Sequence, residues 1–419
     1  MRGPTRREFM QVAAGGMAAA GAAGLSHAVD AEGKPVHITA RDYLADILYT
    51  RQEVDDWFDG KAFPFSKHDP ELGWLLPDAR FADGLDGSIS TYRYEKDNGP
   101  RKMINYADQP CRINTYGDSY TQCHQVSDGE TWQENLAAHL CEPVRNFGIG
   151  GWSVYQAYLR MLREEARTPA PYIILNIYDD DHYRNLDSWR NIRVHKHPQH
   201  IESPLPHLVV DMKNRTCEER PNPCPTRKDY YNLCDLDWVE ERFKGDFVLG
   251  IMLAHANAKE GNPEAAYKEI QDLATTHGIN TRIDASGHMD EAAQAIFNEA
   301  ALFSSMYLVD KAEVFARERG KRVLYVLSYP PKRIAQRLKE GARWDQPFVD
   351  FLREKALPVV DLMEAHVTDY AQFSVSVEDY LKRYWIGHYN PLGNHFTAFA
   401  LKNKLVEMLD PKPAPYRPV

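Results

Sequence analysis

The chain has 419 residues and a formal net charge of −10, and 43% of its residues are hydrophobic. That length suits one elaborated α/β domain or two to three smaller domains, with enough apolar residues for a large core. The acidic balance argues against a nucleic-acid partner, and no run of about 20 strongly apolar residues predicts a membrane span.

The N-terminus has the features of an export signal. Arg6 and Arg7 precede a weakly apolar, Ala/Gly-rich run, and Ser26-His27-Ala28 places small residues where a signal peptidase cleaves. This order resembles a bacterial twin-arginine signal, and an ordinary basic helix is the alternative. The resemblance implies that residues 1–28 are a signal peptide, cleaved after Ala28 or Ala31, and that the twin-arginine (Tat) translocase exports the chain to the periplasm or beyond.

Residues 29–110 are predicted to be an extension packed on a main domain that comprises residues 111–419. A helix is expected around Ala40–Asp59. A hairpin is expected within "STYRYEKDNGPRKMINY", because Asp97-Asn98-Gly99 supplies turn residues between two β-prone runs.

From Arg112 onward, strand and helix patterns alternate. The run "YIILNIY" is continuously apolar, which is typical of a strand covered on both faces. Thr131 and Glu134 stand in the spacing of a capping box at the start of a helix. Strands separated by helices predict a three-layer α/β/α fold with a parallel sheet. The five predicted strands lie at 112–119, 143–150, 172–178, 322–329 and 358–363, and a final helix starts near Pro391.

The alternation stops in an insert at about residues 186–287. Helices are expected at Leu236–Ala256, Ala265–Thr275 and, beyond the insert, Asp290–Arg317. A polar loop is favoured over a metal site for the histidines of the insert, which are His195, His197, His200 and His207. A disulfide could link two of Cys217, Cys224 and Cys234, but the pairing cannot be deduced from sequence.

The stretch "INTYGDSYTQCHQ" places Ser119 where the first core strand ends. Gly-Asp-Ser there is either a turn with a helix cap or the site of a nucleophile. Ligands of open parallel sheets bind at the carboxyl ends of the strands, which favours the nucleophile.

Two further motifs occupy corresponding places. Asn146, Gly148 and Gly151 follow the second strand with N-x-G-x-x-G spacing, and glycines there let backbone amides approach a ligand closely. His388 stands just before the helix that starts near Pro391. A histidine in this position can face the same edge of the sheet.

Together, Gly117-Asp118-Ser119, Asn146-Phe147-Gly148 and His388-Tyr389-Asn390-Pro391 resemble the motifs of the SGNH (GDSL) hydrolase superfamily. The resemblance covers about residues 106–190 and 320–410. It implies a flavodoxin-like sheet and ester hydrolysis or acyl transfer without a cofactor. It also implies that Ser119 is the nucleophile, that His388 is the base, and that the backbone amides of Ser119 and Gly148 are oxyanion donors.

Two positions depart from the family pattern. Asp180 stands where the family has an oxyanion-binding asparagine, so either a protonated Asp180 or Asn185 is expected to serve. Trp385 stands where the family has its catalytic aspartate, and we expect its main-chain carbonyl to orient His388. Glu378 and Asp379 are the alternative orienting groups. The acidic run Asp179–Asp181 with His182 is interpreted as a solvated turn in preference to a cation site.

The sequence therefore predicts an exported serine esterase of SGNH type that hydrolyses an acyl ester on a carbohydrate or small molecule. The 23 Tyr and 8 Trp residues suit a sugar substrate, although core packing explains most of them equally well. The alternatives are an O-acyltransferase that uses the same serine, and a non-catalytic glycan-binding protein on the same fold. No metal or cofactor is predicted.

Overall fold

The computed structural model describes residues 37–61, 66–96, 98–195, 202–280 and 287–417. The predicted signal peptide and Asp97 of the hairpin turn lie outside them. The described chain divides into two compact units. The sheet unit comprises Leu76–His182 and the residues from Leu308 onward, and the insert unit comprises the residues up to Leu75 and Tyr183–Tyr307.

A five-stranded parallel sheet flanked by helices forms the centre of the sheet unit, in the spatial order β2-β1-β3-β4-β5. This order is flavodoxin-like, so the predicted three-layer α/β/α fold is confirmed. The strands, in chain order, are β1 (Ile113–Tyr116), β2 (Arg145–Asn146), β3 (Tyr172–Tyr178), β4 (Arg322–Ser328) and β5 (Val359–Asp361).

The central strand β3 is buried at all seven positions, as its continuous apolar run predicts. Strand β4 pairs with it from Arg322 opposite Tyr172 to Ser328 opposite Tyr178. On the other side, β1 pairs with β3 as far as Tyr116 opposite Leu175. The three strands are parallel, so Gly117, Asp179 and Tyr329 follow them at the same edge of the sheet, with β1 ending three residues before β3.

Among the helices of the sheet unit, Trp132–Leu140 and Pro391–Met408 lie near the places that the sequence predicts. Thr131 caps its helix by accepting the N–H of Glu134, but the predicted capping box is only half formed. The Glu134 carboxylate instead accepts the backbone N–H groups of Ile104 and Asn105. The helices that lie within the sheet unit are Ser119–Gln122, Trp132–Leu140, Val154–Glu165, Pro331–Glu340, Gln346–Glu354, Leu362–Tyr370, Val377–Lys382 and Pro391–Met408.

The sheet unit also contains two short antiparallel pairings upstream of β1. Ala79–Phe81 pairs with Ser90–Tyr92, and Tyr94 bridges to Arg101 across the predicted hairpin. Single 3-10 turns lie at Leu85–Gly87, Asp128–Glu130 and Ala414–Tyr416.

The insert unit is mainly helical, with two antiparallel hairpins. Thr50 caps a new helix, so the single helix predicted at Ala40–Asp59 is two short helices. Asp246 likewise caps a second helix within the segment predicted as Leu236–Ala256. The helices are Ala40–Ala45, Arg51–Phe58, Asn191–Val194, Arg227–Tyr230, Leu236–Arg242, Phe247–Lys259 and Pro263–His277, with a 3-10 turn at Tyr231–Cys234. The helices Asp181–Arg184 and Met289–Glu318 each contribute residues to both units.

The insert is less irregular than its sequence predicts. Within it, His207–Asp211 pairs with Thr216–Arg220. The other hairpin of the insert unit, Lys67–Asp69 with Gly73–Leu75, lies in the predicted N-terminal extension. His207 is therefore a buried strand residue and not part of a polar loop, whereas His195 is exposed. His197 and His200 lie outside the described residues.

No two of the six cysteines are joined by a disulfide, so the one considered for the insert is absent. Cys217 and Cys224 are buried, and burial raises the pKa of each thiol to about 12. Across the described residues, no helix combines the length and apolar character needed to cross a bilayer.

Candidate active site

Ser119 begins a short helix immediately beyond β1. Gly117 has a φ of +151°, and an added Cβ would lie 2.7 Å from the carbonyl oxygen of Asn176, so only glycine fits this turn. Asp118 caps the helix, since its Oδ1 accepts the N–H of Tyr120 at 2.9 Å. The turn and cap expected from Gly-Asp-Ser are therefore present, and they hold Ser119 at the carboxyl end of the sheet.

His388 lies in a tight turn that leads into the helix Pro391–Met408. The N–H of Ile386 donates to the carbonyl of His388 at 2.9 Å, and Trp385 bridges to Tyr389 across the turn. Asn390 caps the helix by accepting the N–H of Gly393 at 2.9 Å. These local bonds fix the main chain on both sides of the histidine.

The fold brings these two residues together. Oγ of Ser119 lies 2.8 Å from Nε2 of His388 and 3.2 Å from Oδ2 of Asp118. The hydroxyl has one proton to donate and two acceptors within reach. In the tautomer with the ring proton on Nδ1, Nε2 accepts the proton of the hydroxyl. This is the arrangement of a nucleophile with its general base.

Trp385 lies in the same turn as His388 and is buried. Its ring centroid is 4.6 Å from that of Tyr389 and 4.8 Å from that of His366. The indole is a donor only, so an orienting role would belong to its main-chain carbonyl, and that role stays a prediction. The alternative carboxylates are exposed on the helix Val377–Lys382 and are engaged elsewhere. Glu378 pairs with Lys339, and Asp379 accepts the Ser376 hydroxyl at 2.9 Å and pairs with Lys382 at 3.1 Å.

The glycine loop after β2 approaches the nucleophile closely. A Cβ added to Gly148 would lie 2.3 Å from the backbone nitrogen of Gln122, and one added to Gly150 would lie 3.7 Å from Cβ of Ser119. The N–H of Gly148 donates to Oδ1 of Asn146 at 2.9 Å, so an oxyanion would have to compete with that amide. The donor role of Gly148 stays a prediction.

The acidic run after β3 is buried, so its interpretation as a solvated turn is wrong. Oδ1 of Asp179 accepts the indole N–H of Trp344 at 2.5 Å, and Oδ2 accepts from Arg333 at 3.1 Å. Burial raises the pKa of Asp179 and lowers the pKa of His182 to about 4. Within the described part of the chain, no group of three or more His, Cys, Asp or Glu side chains is arranged to hold a metal ion.

The two residues predicted as side-chain oxyanion groups lie in different units. Asp180 is buried in the sheet unit, between Asp179 and the short helix Asp181–Arg184. Asn185 is buried in the insert unit, where its amide nitrogen donates to the hydroxyls of Ser304 at 3.0 Å and Ser305 at 2.9 Å. Both N–H groups of that amide are thereby used, so Asn185 offers neither of them to an oxyanion.

Sequence reasoning missed three buried residues that surround His388. The ring of His124 meets the ring of His388 at a centroid distance of 5.0 Å, and Gln125 accepts the backbone N–H of His388 at 2.6 Å. Asp83 lies behind His124, with Oδ2 3.6 Å from its Nε2. A signal was present, because His124 and Gln125 fall within the stretch that contains Ser119.

A second buried histidine supports the same turn. Nδ1 of His366 lies 2.8 Å from the hydroxyl of Tyr380, and Nε2 lies 2.8 Å from the hydroxyl of Tyr389. The Tyr380 hydroxyl donates onward to Asp369 at 2.9 Å, which makes Nδ1 of His366 the donor and Nε2 the acceptor. Burial lowers the pKa of His366 to about 3, so this neutral ring anchors Tyr389 next to His388.

Comparison with known proteins adds little. No protein-family profile matches the chain, and no curated protein matches it. Among solved structures, one of a protein of the lipolytic G-D-S-L family from Desulfitobacterium hafniense DCB-2 is similar, with 10% identity, a TM-score of 0.29, and coverage of 70% of this chain and 98% of the other. A protein from Lactobacillus plantarum is similar at 12% identity and a TM-score of 0.28, with coverage of 71% and 98%. Likeness at this level supports no inference about activity.

Proposed function

We propose that this protein is a serine esterase of the SGNH type, with Ser119 as nucleophile and His388 as general base. The observation that supports the proposal is the 2.8 Å contact between Ser119 Oγ and His388 Nε2 at the carboxyl edge of a parallel sheet. The alternative of a non-catalytic glycan-binding protein requires no such contact.

The reaction follows from these two groups. Ser119 Oγ attacks the acyl carbonyl carbon as its proton passes to His388 Nε2. The resulting oxyanion is stabilised by the backbone N–H of Ser119. The N–H of Gly148 becomes a second donor when it leaves Oδ1 of Asn146 and donates to the oxyanion. The bond from carbon to the leaving alkoxide then breaks, and His388 returns the proton to that oxygen. A water molecule, deprotonated by His388, attacks the acyl carbon, the bond from that carbon to Ser119 Oγ breaks, and His388 returns the proton to Oγ as the acid leaves.

The proposed substrate is an acyl ester on a carbohydrate, encountered after export. The export proposal is supported by Arg6, Arg7 and the small residues before Val29. If a sugar hydroxyl replaced water in the second step, the same acyl-enzyme would make the protein an O-acyltransferase. Competition between water and added sugar acceptors separates the two activities.

The experiment is an ester panel on the protein cleaved at Ala28. It compares p-nitrophenyl acyl esters with acetylated oligosaccharides, each assayed with the native protein and with Ser119→Ala. We expect hydrolysis of at least one ester class by the native protein and loss of that activity in the variant. Binding of acetylated oligosaccharide without turnover would instead favour the glycan-binding protein.

A further inference from the structure

His388 needs an orienting and charge-stabilising partner, and the family position for that acid holds Trp385. A histidine base works best when its second nitrogen is held and its positive charge is compensated as it takes the proton. In the sheet unit, Gln125 bonds to the backbone N–H of His388, and His124 packs between the ring of His388 and the carboxylate of Asp83. The inference below rests on the proposed function.

Gln125 fixes the main chain of the base. Its Oε1 accepts the N–H of His388 at 2.6 Å, and its Nε2 donates to the carbonyl of Asp83 at 3.2 Å. The backbone N–H of Gln125 donates to the hydroxyl of Tyr92 at 2.7 Å. Gln125 and Cys123 both have left-handed φ values, +72° and +62°, which are costly for residues other than glycine. Strain held by this many bonds is typical of a functional loop.

Arg101 stabilises that strained loop through hydrogen bonds to its carbonyl groups. The guanidinium donates to the carbonyl oxygens of Gln122 and Val126, both at 2.6 Å, and pairs with Asp128 at 2.9 Å. The positive charge of Arg101 is thus matched by Asp128, and the loop between Ser119 and Asp128 keeps its shape without a regular ladder of hydrogen bonds.

His124 packs against the ring of His388 and lies next to a buried carboxylate, that of Asp83. One face of its ring stacks on Tyr92 at 5.8 Å, and the ring meets that of His388 at 5.0 Å with an interplanar angle of 62°. Asp83 lies 3.6 Å from Nε2 of His124, and its side chain has no exposed surface. The hydroxyl of Tyr92 donates to Asp83 at 2.7 Å. Water screens a buried carboxylate less than an exposed one, so the negative charge of Asp83 stabilises a positive charge that forms on the ring of His388, next to His124.

We propose that Asp83, His124 and Gln125 are positioning residues for the base: Gln125 fixes the main chain of His388, and Asp83 stabilises the His388 imidazolium through the intervening ring of His124. His124 has to stay neutral for this, because a second imidazolium would repel the first. Burial lowers the pKa of His124, which agrees with that requirement. The titratable and charged groups that face the two rings are Asp83, Tyr92, Arg101, Asp118, Ser119 and Tyr120.

The first test compares Asp83→Asn with Asp86→Asn. Both changes remove one negative charge from the same turn, but Asp86 is exposed and has a left-handed φ that asparagine tolerates. We expect Asp83→Asn to lower kcat about 10- to 100-fold with little change in KM, which is the scale found for the outer partners of metal-ligating histidines. The acid limb of the kcat/KM profile should also move to lower pH, because the imidazolium loses its stabilising charge. Asp86→Asn should change neither quantity.

The second test asks whether Gln125 acts through its acceptor oxygen. Gln125→Leu removes the acceptor for the N–H of His388, whereas Gln125→Glu keeps it. We expect Gln125→Leu to lower kcat up to about 100-fold through misplacement of the base, and Gln125→Glu to recover most of that loss. Equal activity of the two variants would overturn the role of Gln125. This test does not depend on the Asp83→Asn variant and remains decisive if that variant fails to fold.

A third measurement separates this inference from the proposed function. Histidine-selective ¹⁵N NMR follows the titration of His388 without any substrate. We expect the midpoint for His388 to fall in Asp83→Asn and to be unchanged in Asp86→Asn. If that midpoint does not move and kcat is unchanged, the positioning role is overturned. If the midpoint moves but Ser119→Ala keeps full esterase activity, the proposed function fails while the positioning of His388 stands.

Discussion

Nε2 of His388 lies 2.8 Å from Oγ of Ser119, although the two residues are 269 positions apart in the chain. The parallel sheet explains the contact. Ser119 follows β1 and His388 precedes the helix Pro391–Met408, which packs on the helix Trp132–Leu140. The N–H of Trp132 donates to Oδ1 of Asn394 at 3.2 Å and ties the two helices at the level of the site.

The first prediction concerns the coupling of these two residues. Ser119→Ala and His388→Ala should each lower kcat/KM at least about 10³-fold, and the double variant should be no slower than either single variant, because the pair acts as a unit. Steady-state kinetics with one ester checks this. His395→Ala, at an exposed position of the helix Pro391–Met408, is the control and should keep full activity. Additive losses in the double variant would mean that the two groups act separately.

The second prediction concerns the alternative triad acids. Glu378→Gln and Asp379→Asn should each change kcat less than about twofold, because both carboxylates are exposed and have partners of their own. Kinetics of the two variants beside Asp83→Asn provides the comparison. A collapse of the rate in either variant would identify that residue as the partner of His388 and exclude orientation by the Trp385 carbonyl.

The third prediction concerns the glycine loop. Gly148→Ala should lower the free energy of unfolding by about 1–3 kcal/mol and lower activity, because the new Cβ would lie 2.3 Å from a backbone nitrogen that cannot move aside. Gly129→Ala is the matched control, since nothing lies within 4 Å of its added Cβ. Thermal or urea unfolding of both variants measures the difference. Equal stability of the two would show that the loop yields more easily than its contacts indicate.

The fourth prediction concerns pH. The pKa of His366 is about 3 in the folded chain, below its ordinary value of about 6.5 in the unfolded chain. Between these values the unfolded chain binds a proton that the folded chain does not, so the free energy of unfolding decreases as the pH falls from about 6.5 toward 3. His182, with a pKa of about 4, acts in the same direction.

Urea unfolding at pH values from 7 to 4 checks this dependence. In His366→Phe the decrease in stability should be smaller by up to about 1.4 kcal/mol for each pH unit, because the titrating group is gone. His395→Gln, at an exposed position, should leave the slope unchanged. An unchanged slope in His366→Phe would show that the buried ring is not the titrating group.

The fifth prediction concerns export, which depends on residues outside those that the structure describes. The N-terminus of protein recovered from the periplasm should be Val29 or Glu32 by intact mass, and replacing Arg6 and Arg7 with lysine should retain the full-length chain in the cytoplasm. Periplasmic accumulation of the lysine variant would exclude the twin-arginine route.

The sheet and its two reacting groups could be predicted because their signals are local. The apolar run at Tyr172–Tyr178 has the pattern of a buried parallel strand, and the topology of such sheets brings the residues after each strand to one edge. Ser119 and His388 could therefore be placed near each other without knowledge of their contacts.

The surroundings of the site could not be predicted, because they depend on long-range partners. Four consecutive polar residues, Asp179–His182, suggest a solvated turn, yet Asp179 is buried by Trp344 and Arg333, which lie 165 and 154 positions away. The partner of His124 is Asp83, from a segment whose sequence suggests only an extension. Glu134 has capping-box spacing, but the backbone of Ile104 and Asn105 competes successfully for its carboxylate.

The most direct measurement of the central claim is covalent labelling with a serine-reactive fluorophosphonate, followed by intact mass and peptide mapping. We predict one adduct per chain on Ser119, no adduct in Ser119→Ala, and much slower labelling in His388→Ala, because the hydroxyl is nucleophilic only when its proton can pass to the imidazole. Labelling at another residue, or equal labelling in the native chain and in His388→Ala, would contradict the assignment of Ser119 and His388 as nucleophile and base.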